Sequence, residues 1–97
     1  MRVISKRVLH EFWEKHEDAE QPLKSWYSEA EKSKWSSPNQ IKKEYAKASI
    51  IGDSRVVFNI CGNKYCLIVK INYVRHGVFI RFIGTHKEYD KINAEKI

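Results

Sequence analysis

Residues 55–74, RVVFNICGNKYCLIVKINYV, decide the fold, because β-branched and aromatic residues lie on both sides of a Gly62-Asn63 turn signal. Arg55–Cys61 and Lys64–Val74 read as two strands of a hairpin. A two-residue loop pairs Cys61 with Lys64, and therefore Asn59 with Cys66, Val57 with Ile68 and Arg55 with Lys70. Downstream, Arg75-His76-Gly77 turns the chain again and Val78–Gly84 forms the last strand.

Alternation then sorts the side chains onto two faces. Val56, Phe58, Ile60, Tyr65, Leu67, Val69, Ile71, Tyr73, Val78, Ile80 and Phe82 make a continuous apolar face. Arg55, Asn59, Lys64, Cys66, Lys70, Asn72 and Arg81 occupy the other. If the Arg75-His76 turn is also two residues long, Lys70 stands opposite Arg81 as well as Arg55. Like charges opposed across a sheet cost about 0.2–1 kcal/mol per pair. A phosphate bound between them relieves that cost, so the row reads as an anion site; otherwise the long side chains splay apart into water.

Upstream, Ala48–Ile51 is a short strand closed by Gly52-Asp53-Ser54. Met1–Ile4 is another, after which Ser5 is placed to cap a helix carrying Val8, Leu9, Phe12 and Trp13 at helical spacing. Pro22 suits the first turn of a second helix, where Leu23, Trp26, Tyr27 and Ala30 share one side. Ser36-Ser37-Pro38 opens a shorter turn of helix through Ile41 and Tyr45. The two longer helices supply the cover for the apolar face. Trp13, Trp26 and Trp35 read as packing residues, and His10, His16 and His76 as surface or packing residues.

After the last strand, Thr85-His86-Lys87-Glu88 has the Thr-x-x-Glu pattern of a capping box, so a short helix begins there. Its first turn presents free N–H groups and delivers His86 and Lys87 to the same place. Imidazole is the side chain best matched to proton transfer near neutrality, which makes His86 the leading catalytic candidate. Tyr89 can stack on an unpaired base or donate its hydroxyl to a phosphate.

The 97 residues suffice for one domain, 1–97, that buries roughly two thirds of the surface of its unfolded chain. The composition is 42% hydrophobic and 31% charged, with no apolar run long enough for a membrane span. The charged start of the chain lacks the apolar core of a secretion signal, which points to the cytoplasm. Cys61 and Cys66 are too few for a disulfide scaffold and have no zinc-ligand spacing around them. No metal site, cofactor loop or nucleophilic serine motif is expected. Net charge is +6 and the sequence pI about 9.4, favouring phosphate-rich or carboxylate-rich partners. Residues 49–97 hold eight Lys or Arg against four Asp or Glu, while residues 1–48 hold ten against eight, so the strands carry the stronger bias.

Arg55-Val56-Val57-Phe58-Asn59-Ile60, Gly62-Asn63-Lys64-Tyr65 and the run Val78-Phe79-Ile80-Arg81-Phe82-Ile83-Gly84-Thr85-His86-Lys87-Glu88-Tyr89-Asp90 closely resemble HigB toxins, a branch of the RelE-like family. Arg2-Val3-Ile4 and Phe12-Trp13-Glu14-Lys15-His16 are similar to it as well, so the likeness covers nearly the whole chain. The resemblance implies an α+β, RelE-like fold: two N-terminal helices on one face of a twisted, mainly antiparallel sheet of four to five strands, then a short C-terminal helix. It also implies a toxin that cuts messenger RNA on the ribosome, contacting ribosomal RNA, and that a helix-turn-helix antitoxin of the HigA type neutralises. By analogy the RNA's own 2′-hydroxyl is the nucleophile and no metal is needed. His86 then serves as base or acid, Arg81 with Lys70 and Arg55 holds the phosphate, and Tyr89 orients a base. Lys64 and Lys87 contact RNA backbone, with Asn59 on the same polar face.

One position departs from the family pattern. Relatives carry Arg after Gly-Asn-x-Tyr, whereas this chain has Cys66, which the expected register places near Thr85 and His86. Loss of one preorganised charge there costs on the order of 100-fold in rate, so Cys66 marks either a naturally weak toxin or a disarmed one. Two rival readings remain: an inactive module that binds RNA or antitoxin, and, from the scaffold alone, an inhibitor of DNA gyrase.

Overall fold

The computed structural model describes residues 1–97. Strand β1 (Arg2–Ile4) leads into helix α1 (Lys6–Lys15), and a 3₁₀ turn (Glu17–Ala19) runs into α2 (Glu20–Lys32). Helix α3 (Pro38–Glu44) precedes β2 (Ser49–Ile51), β3 (Arg55–Ile60), β4 (Tyr65–Asn72) and β5 (Gly77–Thr85), and α4 (His86–Tyr89) follows directly. The five strands lie in the order β1-β5-β4-β3-β2, antiparallel except for β1, which runs parallel to β5. This is the α+β architecture expected from the sequence. No helix is long and apolar enough to cross a membrane.

Helical spacing puts Leu9 and Trp13 of α1 and Leu23, Trp26 and Ala30 of α2 on the sides that meet the sheet. They join Val56, Phe58, Ile60, Tyr65, Leu67, Val69, Ile71, Val78 and Ile80 in one core of 18 buried residues. All three tryptophans are buried, Trp35 at 1% exposure, stacked on Phe58 with ring centroids 6.1 Å apart. They are packing residues and offer no surface to a nucleobase. Val8, expected on the buried side of α1, is exposed, and Ser5 sits in the left-handed region (φ 75°) without capping the helix by its side chain.

The β3–β4 register is the expected one: Asn59 opposes Cys66, Val57 opposes Ile68 and Arg55 opposes Lys70. The loop is longer than expected, however. Cys61 and Gly62 both turn to positive φ, so regular pairing stops at Ile60 and Tyr65 and four residues form the turn. The β4–β5 hairpin differs more. Asn72 pairs with Gly77, which leaves Tyr73–His76 as a four-residue loop, tied by the Arg75 N–H donating to Asn72 Oδ1 at 3.0 Å. Lys70 consequently faces Phe79 and not Arg81.

Farther along, Val69 pairs with Ile80 but Ile68 pairs with Phe82, so Arg81 is the extra residue of a β-bulge. The bulge resets the alternation. Ile83 turns toward the helix-covered core, and Phe82, expected in that core, packs on the opposite face. Gly84 makes room for it: a Cβ there would stand 2.6 Å from the Phe82 ring.

Candidate active site

The face expected to be polar has an apolar centre. Val57, Cys66 and Ile68 form a second small core covered by Ile51, Phe82, Tyr89, Ile92, Ala94 and Ile97. Residues 90–97 thus fold back across the sheet, a feature that the sequence reading missed. Its signal was there in Val57 and Ile68, two aliphatic side chains on a supposedly solvated face, and in three apolar residues after the last helix that had no other partner.

At one end of this face stands α4. The Thr85 hydroxyl accepts from the Glu88 N–H at 3.2 Å, and Glu88 Oε1 accepts from the Thr85 N–H at 2.9 Å, so the expected capping box is present. These hydrogen bonds hold the Glu88 carboxyl below its ordinary range, the backbone one most strongly. The box fixes the first turn of the helix and with it the exposed His86. The His86 ring lies against the Cys66 thiol, with Sγ 3.4 Å from Nδ1 and 3.5 Å from Nε2. Tyr89 meets the same ring edge-on, with centroids 6.3 Å apart.

Burial pushes the Cys66 thiol up, and the nearby Asp90 carboxylate adds to the shift. At 1% exposure, Cys66 is a neutral hydrogen-bonding wall and not a thiolate nucleophile. Tyr89 is raised chiefly by burial, with the nearby Asp90 carboxylate adding to the shift, which keeps its hydroxyl a donor.

A second centre lies three to four residues away along the strands, roughly 10–13 Å. Arg55, 5% exposed, donates from Nε (3.0 Å) and Nη2 (2.5 Å) to the main-chain oxygen of Ile97. Arg81 donates from Nε to the same oxygen at 3.2 Å. The row drawn by simple pairing is broken at Lys70, yet the two arginines still converge because the bulge swings Arg81 onto this face. Lys70 instead stands 3.5 Å from Asp53, whose carboxylate also receives Arg55 Nη1 at 2.6 Å. The Arg55 hydrogen bond and the Lys70 charge hold the Asp53 carboxyl below the usual range.

The remaining candidates are dispersed. Lys64 leaves the polar face and pairs with Asp18 of the 3₁₀ turn, which also accepts from the Tyr65 hydroxyl at 2.6 Å. Asn59 donates to the main-chain oxygen of Lys47 at 3.3 Å. Lys87 is exposed beside His86 and makes no ion pair. No group of three or more His, Cys, Asp or Glu side chains is placed to hold a metal ion.

N-terminal helices on one face of a five-stranded mixed sheet, followed by a short C-terminal helix, make the α+β architecture of the small RelE-like toxins. The sequence pattern of the HigB toxins, described as the RelE-like toxic component of a toxin–antitoxin system, matches residues 19–92. An mRNA interferase HigB from Escherichia coli O6:H1 (strain CFT073) is 27% identical over 94 residues, covering 95% of this chain and 91% of that protein. The chain belongs to the HigB toxin family.

Proposed function

We propose that this toxin is an endoribonuclease that cleaves messenger RNA on the ribosome and is neutralised by a helix-turn-helix antitoxin. The observation that carries the reading is the convergence of Arg55 and Arg81, from separate strands, on one oxygen acceptor. Two guanidinium groups aimed at a single oxygen form a site that suits phosphate in the geometry arginine favours. The family supports it, as does the mRNA interferase named among its relatives.

In this reading the RNA 2′-hydroxyl attacks the adjacent phosphorus and the 5′-oxygen departs. The nucleophile belongs to the substrate, so the reaction calls on no metal-bound water. His86 transfers the proton, with Tyr89 donating its hydroxyl to a phosphate oxygen. Arg81 and Arg55 hold a phosphate of the same strand, and Lys70 and Lys87 add to the field that retains the RNA backbone. Lys64 and Asn59, drawn off to Asp18 and Lys47, serve at most at the rim.

A second reading is favoured by one observation: the wall beside His86 is an uncharged, buried thiol. A centre without a cation at that place stabilises a phosphorane poorly, so a weakened toxin that binds RNA or antitoxin fits Cys66. Cleavage in a translating extract separates the two. Under the nuclease reading the unsubstituted chain cuts messenger RNA and His86→Ala loses that cutting by at least 100-fold. Undiminished cutting by His86→Ala removes His86 from the mechanism, and RNA binding without cutting by the unsubstituted chain selects the second reading.

A further inference from the structure

Beside Lys70 the polar face carries side chains that have no part in the proposed cleavage. Where β4 ends and β5 begins, a cavity of about 400 Å³ opens between Ser54, Lys70, Asn72, Val74 and Phe79. That volume is within the range of sites for small organic groups. None of residues 90–97 lines it, so the fold-back segment that covers Val57 and Ile68 leaves it open.

The shifted β4–β5 register determines what faces this cavity. Lys70 opposes Phe79 and Asn72 opposes Gly77, and opposed residues point to the same side of a sheet. Gly77 has no side chain to shield that spot, and the Phe79 ring lies above it, 3.4 Å from where a Cβ would be. Phe79 remains 37% exposed. An aromatic ring, a lysine directly across from it on the neighbouring strand and a carboxamide on the next pair of the same face thereby line one open surface.

We infer that Phe79, Lys70 and Asn72 form a subsite for one unpaired nucleotide of a single-stranded RNA. The base lies on the Phe79 ring, the Lys70 ammonium takes the attached phosphate, and the Asn72 carboxamide meets the edge of the base. Stacking on an aromatic ring beside a cation is the combination by which single strands are held, and with its Oδ1 held by the Arg75 N–H the Asn72 carboxamide offers its N–H donors to a base edge. An acidic peptide would use Lys70 but leave the ring and the carboxamide without matched partners. Asp53, beside Lys70, aligns the ammonium and yields part of it to the phosphate.

Phe79 stands six residues before Thr85, about 20 Å along β5. The base held there is several nucleotides from the bond that His86 would cut. The subsite therefore selects sequence and takes no part in the chemistry. It rests on the proposed RNA-cleaving function.

The test uses the full chain and short single-stranded oligoribonucleotides carrying 2-aminopurine at successive positions, with quenching reporting stacking and anisotropy reporting affinity. One position is quenched by the unsubstituted chain. Phe79→Ala loses that quenching and binds on the order of 10-fold more weakly, while Phe79→Tyr retains both. Asn72→Ala keeps the quenching and changes which base is preferred. Unchanged quenching and affinity in Phe79→Ala overturn the subsite and leave the RNA reading intact, provided that Arg81→Ala still weakens binding. If the unsubstituted chain binds none of the oligonucleotides, the RNA reading fails and the subsite falls with it. If Phe79→Ala impairs only capture by the antitoxin, the surface is a protein contact and the inference is wrong. Unfolding midpoints of both Phe79 variants identify any loss caused by misfolding, and in that event Phe79→Tyr decides.

Discussion

Arg55 holds the main-chain oxygen of Ile97 with two N–H groups at 3.0 and 2.5 Å, and Arg81 adds a third at 3.2 Å. The paired guanidinium groups therefore already have an oxygen acceptor from within the chain. A phosphate at the same place competes with it, and the apolar contacts of Ile92, Ala94 and Ile97 oppose the exchange. Deleting residues 93–97 is expected to tighten single-stranded RNA binding several-fold, most clearly at low salt. The same deletion uncovers Val57 and Ile68 and should cost about 2 kcal/mol of stability, given the burial of one or two aliphatic side chains. RNA titrations and urea unfolding of the shortened chain measure the two effects. Weaker binding after the deletion would show that the segment contributes to the site.

Cys66 opposes Gly84 and touches His86, and its 1% exposure leaves no room for a longer side chain. Cys66→Arg must therefore push Tyr89 and Ile92 outward, with a strain cost of about 1–3 kcal/mol. In return it places a guanidinium beside the imidazole. Cleavage of messenger RNA and growth arrest should rise on the order of 100-fold, although the protein unfolds at lower urea. Cys66→Ser, which adds no charge, is expected to leave cleavage near its starting level. A gain by the serine variant equal to that of arginine would detach the effect from charge.

How much of this was legible in the sequence depends on what each residue's position is set by. The β3–β4 register follows from local turn chemistry and period-two alternation, so the pairs Asn59–Cys66 and Arg55–Lys70 could be read directly. The capping box of Thr85 and Glu88 was equally plain, being a four-residue pattern. Phe82 was misplaced because a bulge adds one residue to one strand only, and nothing in Ile80-Arg81-Phe82 announces it. Lys64 was misplaced because Asp18, 46 residues away, competes for it. The cover of the second face by Ile92, Ala94 and Ile97 depends on a long-range return of the chain: Val57 and Ile68 signal that the face needs a cover, but strand periodicity does not say which segment supplies it.

Thr85 supports α4 by accepting the Glu88 N–H, and the Glu88 carboxylate answers at the Thr85 N–H. Removing the hydroxyl in Thr85→Ala is expected to cost about 1 kcal/mol. It should also reduce cleavage, because His86 is the first residue of the helix. Glu88 has a depressed carboxyl in the folded chain, so the unfolded chain binds the extra proton. Its contribution is complete above the ordinary carboxylate range, near pH 4–5, and is lost as pH falls through the lower folded value. Asp18, held low by Lys64 and Tyr65, and Asp53, held low by Arg55 and Lys70, act in the same direction. Urea unfolding at pH 7 and pH 3 should show a smaller acid loss in Glu88→Gln than in the unsubstituted chain. Equal slopes would mean that the cap is not formed in solution.

Arg81 offers a sharper test of the bulge. With Val69 opposite Ile80 and Ile68 opposite Phe82, Arg81 has no partner on β4. Deleting a residue from inside a strand ordinarily turns every later side chain to the wrong face. Here deletion of Arg81 brings Ile80 and Phe82 together in simple alternation, with Ile80 and Ile83 still toward the helices and Phe82 still toward Cys66. The shortened chain should therefore fold, with a stability within about 1 kcal/mol of Arg81→Ala, since surface changes that touch no special feature are small. Deletion of Ile80 should be far worse, because it puts Arg81 where a core residue belongs. Both Arg81 variants lose one of the two guanidinium groups that meet at Ile97, so RNA binding should weaken in both and its salt dependence should shrink by about one phosphate contact. Urea midpoints and salt-dependent titrations of the three variants decide the matter. An Arg81 deletion as damaging as the Ile80 deletion would mean that the strands pair without the bulge, and the placement of Phe82 on the site face would then be wrong.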